Sequence, residues 1–239
     1  MKKRILTAFI IVVTAVALLT ACSEDPLPAG LILDFKAVSA NDSTGIEITS
    51  FMLGIADVEL ETEDENALEV ENREENINEL IEFKGPYKLN LITGESAPEF
   101  GRAIVNQISF REIEIKLGAA LDGGNTFFLS YKLDGKEIEV STEINILEIE
   151  LLQPQDLMLK RNVLNTLIVR LNQDAVFDAL NLSAVLPDTD GVYRINDETY
   201  PDITESLKEV LKTSFQAGLD LNKDGEIDGL ESADPDSGN

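Results

Sequence analysis

Residues 127–140 read FFLSYKLDGKEIEV, and they set the fold class. Phe127, Leu129, Tyr131 and Leu133 alternate along the first half, and Ile138 and Val140 resume the alternation after Asp134-Gly135. A period of two puts one set of side chains on one face of an extended chain. An Asp-Gly pair readily takes the positive φ angles of a two-residue hairpin turn. The stretch therefore predicts a half-buried antiparallel hairpin.

The same period recurs on both sides of it. LILDFKAV (31–38) opens the body, and Ile46, Ile48, Phe51 and Leu53 alternate with polar residues before an extended run to Leu60. Residues 80–83 and 87–92 predict two strands broken by a turn at Gly85-Pro86. Between 104 and 117 the phase switches, from Ile108 and Phe110 to Ile113, Ile115 and Leu117. A switch of phase requires a bulge or a chain that leaves one sheet for another. Ile144, Ile146, Ile149 and Leu151 follow with a further switch, and LNTLIVRL (164–171) reads as the last strand. About eight or nine strands with short turns predict a mainly β protein, an antiparallel β-sandwich over residues 31–187. A short helix is predicted over 173–180, with Val176, Phe177 and Leu180 on one face.

Residues 188–239 form the second predicted region. Ile203, Leu207, Val210, Leu211 and Phe215 fall on one stripe of a helix over 201–216. Asp202 and Glu205 have capping-box spacing, and Gly218 is a helix-stop signal. The sequence DLNKDGEIDGLE (220–231) follows. Asp220, Asn222, Asp224, Asp228 and Glu231 carry oxygen side chains, Gly225 sits at the sixth position and Ile227 at the eighth. A hard cation such as Ca²⁺ takes about six to eight oxygens. The twelve residues resemble the EF-hand calcium loop, matching D-x-[DN]-x-[DN]-G-x₅-E at each defined position. That resemblance implies Ca²⁺ as cofactor. It assigns side-chain oxygens to Asp220, Asn222 and Asp224, a backbone carbonyl to Glu226, a water-mediated contact to Asp228 and a bidentate carboxylate to Glu231. No second loop is evident, and Pro235 opposes an exiting helix. The region is thus similar to the lone, dockerin-like loops of secreted bacterial proteins. Calcium is expected to act as a structural staple that pins the 201–216 helix to the sandwich.

The other end of the chain predicts a location. Lys2, Lys3 and Arg4 precede an apolar stretch over 5–19, the form of a secretory signal over residues 1–21. Leu19-Thr20-Ala21-Cys22 resembles a bacterial lipobox, which implies cleavage before Cys22 and its acylation. Cys22 is the single cysteine of the chain. Residues 22–30, with Pro26, Pro28 and Gly30, then form a lipidated linker. Acyl chains anchor a protein to a membrane without a spanning helix. Ser23-Glu24-Asp25 resembles the acidic export tag of surface lipoproteins. The expected place is the bacterial cell envelope, at the outer membrane, on its surface or on its periplasmic side. The implied partners are the membrane, through the acylated N-terminus, and a protein or glycan at the cell surface.

Composition excludes several functions. Without residues 1–21 the chain keeps 16 basic and 45 acidic residues, a side-chain charge of −29. Such a chain is repelled by phosphate backbones, so nucleic acid is excluded as a partner. Histidine and tryptophan are absent. Nucleophile–histidine sites and histidine-ligated zinc are therefore excluded. The sequence contains no G-x-S-x-G elbow, P-loop or dinucleotide fingerprint. The expected class is non-enzymatic, with no catalytic residue. A glycan- or polymer-binding surface lipoprotein is the alternative. Residues 59–79 hold ten acids against one base, Arg73, and predict a solvated hairpin tip or insertion. LDGGN (121–125) and PDTDG (187–191) read as turns, with an accessory calcium site at Asp188 and Asp190 as the second reading of the latter. Finally, the opening strand, FKGPYKLNLITGES (83–96) and the later long strands resemble a family of lipid-anchored β-sandwich domains of bacterial envelopes. The resemblance covers residues 31–187 and implies fold and location.

Overall fold

A computed structural model describes residues 29–38, 45–62, 80–105, 110–150, 159–160 and 162–228. Its strands, in chain order, are β1 (Ala29–Val38), β2 (Ile46–Thr62), β3 (Leu80–Asn90), β4 (Ser96–Ala97), β5 (Ala103–Val105) and β6 (Phe110–Leu117). They continue with β7 (Phe127–Leu133), β8 (Lys136–Thr142), β9 (Ile146–Glu150), β10 (Leu164–Asn172), β11 (Tyr193–Ile195) and β12 (Phe215–Asp220). Helix α1 spans Gln173–Ala179 and α2 spans Pro201–Ser214. The protein is mainly β and forms two sheets with helices in its C-terminal part, as the alternation predicts.

The small sheet has the order β12-β10-β1-β5. The large sheet runs β11-β8-β7-β2-β3-β4, with β6 added on β2 and β9 on β6. Strand β2 organises the large sheet. Its first half pairs with β7 and its second half with β6, while β3 follows it along the other edge. The two neighbours meet near Gly54, whose N–H donates to the Thr126 carbonyl (2.8 Å) and whose carbonyl accepts from Gly118 N–H (3.0 Å). The Asp134-Gly135 hairpin forms as expected between β7 and β8.

Between the sheets lies one core. Leu31, Leu33 and Phe35 of β1 face it, with Leu167, Val169 and Leu171 of β10 and Ala217 and Leu219 of β12. From the large sheet come Phe51, Leu53, Phe83, Ile113, Leu129 and Val140, among others. Phe100, on the link from β4 to β5, closes one side. Its ring stacks on Phe35 (5.1 Å), lies tilted against Tyr87 (4.4 Å) and meets Phe83 edge-on (6.5 Å). A single aromatic thus ties the chain's crossing point to both sheets.

The phase switch between Phe110 and Ile113 falls within β6 and is a bulge, a register shift opposite Glu61 and Thr62 of β2; the chain changes sheets earlier, between β5 and β6. Four expectations need correction. Gly85-Pro86 is no turn: β3 runs through it, opposite a register shift between Ile55 and Asp57 of β2. The local turn signal is overridden because Ile81, Phe83, Tyr87 and Leu89 share one buried face along the continuous strand. The pairing is not purely antiparallel, since β1 lies parallel to β10 and β11 parallel to β8. Helix α2 begins with Pro201 at its first turn and has no side-chain cap, so Asp202 and Glu205 make no capping box. It ends at Ser214, and Gly218 lies inside β12 rather than at a helix stop. Hydrogen bonding between sheet edges wins here over helical spacing, because Phe215, Ala217 and Leu219 complete the core face beside β10.

Helix α1 forms where predicted. The Asn172 side chain caps it by accepting from Asp174 N–H (3.1 Å) and Ala175 N–H (3.5 Å). Val176 is buried and Phe177 meets the Tyr131 ring edge-on. Strands β11 and β12 join the two sheets, so the chain beyond residue 188 is hydrogen-bonded into the sandwich. The predicted signal segment, Cys22 and most of the acidic 59–79 stretch lie outside the described residues.

Asp197 locks this C-terminal part to the end of β8. Its carboxylate accepts from Thr142 Oγ1 (2.8 and 2.9 Å) and Glu143 N–H (3.1 Å), and it pairs with Lys208 of α2 (2.9 Å). Burial opposes its ionisation, but Lys208, Thr204, Glu143 and Thr142 outweigh this and hold it down at about 2. Its stabilisation is therefore complete above the ordinary aspartate value near 3.8 and is lost as pH falls through about 2. Asp197→Ala should cost roughly 1–2 kcal/mol at neutral pH by the scale of charged hydrogen bonds at a partly exposed site. Chemical denaturation from pH 7 to pH 2 should show the gap to wild type closing below about pH 4.

Candidate metal centre

The loop begins where β12 ends. Asp220 is paired with Thr166 of β10 and is 9% exposed, the most buried acid among the described residues. Its Oδ1 accepts from Lys223 N–H (2.5 Å) and its Oδ2 from Gly225 N–H (3.1 Å). Asn222 Oδ1 accepts from Asp224 N–H (3.0 Å), and Asn222 Nδ2 donates to Asp224 Oδ2 (2.8 Å). Asp224 Oδ1 accepts from Glu226 N–H (2.8 Å). That N–H, then the Asn222 amide, keeps the Asp224 carboxyl below the usual carboxylate range. Asp228 closes the turn by accepting from Leu221 N–H, while its own N–H donates to Leu219 O (3.0 Å). The backbone takes left-handed φ values at Lys223 (66°) and Gly225 (84°). Glycine adopts that conformation at little cost, which is why the sixth position carries it.

The loop folds back over the outward face of the small sheet. Gly218 lies on that face, and a Cβ there would stand 2.3 Å from Ile227 Cγ2. Only a glycine leaves room for the isoleucine, which is 2% exposed. Ile168 lies opposite Gly218 in register and is fully buried. Neither isoleucine belongs to the main core, although both are buried.

Two strand cations hold the other side of the loop. Lys36 of β1 and Arg170 of β10 are direct register partners. Lys36 Nζ donates to the Gly225 carbonyl and lies 3.5 Å from Glu226 Oε1. Arg170 Nη1 is 3.6 Å from Glu226 Oε2, and its Nη2 donates to Gln216 (2.9 Å). Glu226 thus bridges two like charges that would otherwise face each other across the strands. Neither cation is visible as a site residue in the sequence. Their one signal is a basic residue at an outward strand position of an acidic chain.

The described part of the motif is brought together: Asp220, Asn222, Asp224, Glu226 and Asp228 share one turn. Glu231 lies outside the described residues. Among the described residues no three carboxylates close into a metal-sized cluster. The donors still fit a hard divalent ion in kind, being all oxygen and largely carboxylate. Glu226 has its carboxylate engaged by Lys36 and Arg170, which suits a contribution through its backbone carbonyl. The alternative cation site at Asp188 and Asp190 closes on a side chain instead. Arg194 binds Asp188 (2.9 Å), Asp190 (2.8 and 3.0 Å) and Glu139 (2.8 Å). The Asp190 bonds, then those of Asp188 and Glu139, raise the guanidinium pKa. This fork–carboxylate geometry is a structural lock between β11, β8 and the 187–191 turn.

Compared with known proteins, the chain matches no family model, no curated protein and no solved structure.

The seating of the loop is testable without metal. Gly218→Ala should cost about 1–3 kcal/mol through overpacking against Ile227. Adding Ile227→Ala to that variant should cost less than the same change in wild type, since the new methyl fills vacated space. Urea unfolding of the four proteins measures the coupling.

Proposed function

We propose that this protein is a non-catalytic, lipid-anchored protein of the bacterial cell envelope whose C-terminal loop takes up one calcium ion as a structural staple. The observation that carries the reading is the way residues 220–228 sit. Asp220, Asn222 and Asp224 are gathered on one tight turn, and Ile227 fastens that turn to the small sheet. In this reading Asp220, Asn222, Asp224, Asp228 and Glu231 supply side-chain or water-mediated contacts, and Glu226 supplies its carbonyl. When bound, calcium adds charge neutralisation and rigidity to an acidic turn. Cys22 carries the acyl anchor.

The staple acts on a different element from the one expected. Helix α2 is already held by Leu207 and Leu211, which belong to the main core, and it packs on α1 and β9. The loop instead bridges β12, β10 and β1 on the outward face. Calcium should therefore protect residues 221–231 and leave 201–214 unchanged.

Titration calorimetry on residues 22–239 should give about one equivalent of calcium, with a Kd of roughly 10⁻⁴ to 10⁻³ M, the range of extracellular modules. The double variant Asp224→Ala, Glu231→Gln should lose that binding. Heat that persists unchanged in the double variant would remove the loop from the reading. For the anchor, radioactive palmitate should label the protein in a lipidating bacterial host, and Cys22→Ser should abolish the label.

A further inference from the structure

One end of the small sheet differs from the rest of this acidic surface. There β1 and β10 start, β12 ends, and β5 crosses beside β1. Six large apolar side chains are exposed among the described residues, and three of them stand at this end. Ile104 (73% exposed) is the register partner of Gly30 on β5, Val163 (41%) precedes β10, and Leu221 (37%) follows β12. Gly30 N–H donates to the Val163 carbonyl (3.0 Å), which brings the first two elements side by side.

Two cations complete the patch. Arg102 lays its guanidinium over Gly30, where a Cβ would stand 2.5 Å from its Nη2. Lys160 lies 3.5 Å from the Leu221 carbonyl through its Nζ. Among the described residues no carboxylate pairs with either side chain. Most other described cations are ion-paired, as with Lys36, Lys84, Lys116, Arg170, Arg194 and Lys208. In a chain of net charge −26, unpaired cations beside exposed aliphatic groups have a direction. They suit the headgroup layer of a bilayer, where phosphate meets the first methylenes.

The chain itself puts a membrane within reach. Ala29, the first residue of β1, is seven residues after Cys22. Seven residues span at most roughly 25 Å even when fully extended. If Cys22 is acylated, this end of the sheet is held within that distance of the lipid surface. The strongly acidic remainder is repelled by anionic lipid, and the patch of Arg102, Ile104, Lys160, Val163 and Leu221 is not.

We propose that this end of the small sheet is a membrane-facing surface that docks on anionic phospholipid headgroups and orients the tethered domain. The inference rests on the lipid-anchor reading, and its test supplies the anchor independently. Residues 22–239 are coupled through the Cys22 thiol to a maleimide lipid in vesicles of phosphatidylglycerol and phosphatidylcholine. Hydrogen exchange is compared between tethered and free protein. Amides of 103–105 and 162–164 should exchange at least fivefold more slowly on the vesicles, and the Asp134-Gly135 turn should not change. Arg102→Glu with Lys160→Glu should abolish the protection, as should pure phosphatidylcholine vesicles. Ile104→Ser alone should reduce it, and thermal melts should confirm that both variants are folded. Equal exchange in tethered and free wild type would overturn the proposal and leave the patch to a protein partner. Protection that persists in the charge-reversed variant would overturn it as well. Palmitate labelling reports separately on natural acylation, so failure of the anchor and failure of the docking surface are told apart.

Discussion

The small sheet depends on strand β10 being buried on both faces. It lies between β1 and β12, parallel to one and antiparallel to the other. Leu167 and Val169 point into the sandwich, while Ile168 points away from it, yet all three are fully buried. On that face Ile227 of the 220–228 loop is seated against Gly218, the register partner of Ile168. Burial of an aliphatic side chain of this size is worth about 1.5–3 kcal/mol, comparable to the stability margin of many loops. The acidic turn is therefore held by an apolar contact, and its oxygens are gathered as a consequence.

Charge works against this protein in most other places. On the outward face of the large sheet Glu82, Glu59, Glu114 and Glu148 stand in one register row across four strands. Like charges directly opposite each other destabilise a sheet. Lys116 offsets part of that row by bonding Glu59 and by lying 3.4 Å from Glu114, and Lys84 binds Glu82 (2.6 Å). The same logic places Glu226 between Lys36 and Arg170 with the signs reversed. A protein so acidic gains from cations in its surroundings, which is consistent with a calcium loop and with a cationic, apolar end turned toward lipid.

The alternating strands were legible because their pattern needs only local information. The 127–140 hairpin, the strand at 164–171 and the helix after Asn172 all form where period and turn chemistry put them. Where tertiary pairing competes with local signals, the local reading fails. Gly85-Pro86 carries a turn signature but sits within β3, held there by β2 on one edge and by buried neighbours on both sides. Phe215 ends the stripe of the predicted 201–216 helix, yet the open edge of β10 takes it, with the residues up to Asp220, as a strand. Gly218 is the clearest case. Its role is to make room for Ile227, nine residues later, and no nearest-neighbour rule contains that requirement.

The sequence by itself determined the mainly β class, the sandwich and the twelve-residue spacing of oxygen side chains in 220–231. These follow from side-chain periodicity and from the chemistry of single residues. Only the tertiary structure decided where that loop rests, which cations grip it and which elements share the end of the sheet at which β1 begins. Those outcomes depend on the parallel register that sets Lys36 against Arg170 and on the fold-back of Ile227 onto Gly218. Both are contacts between residues distant in sequence, fixed by packing and hydrogen-bond geometry rather than by local preference.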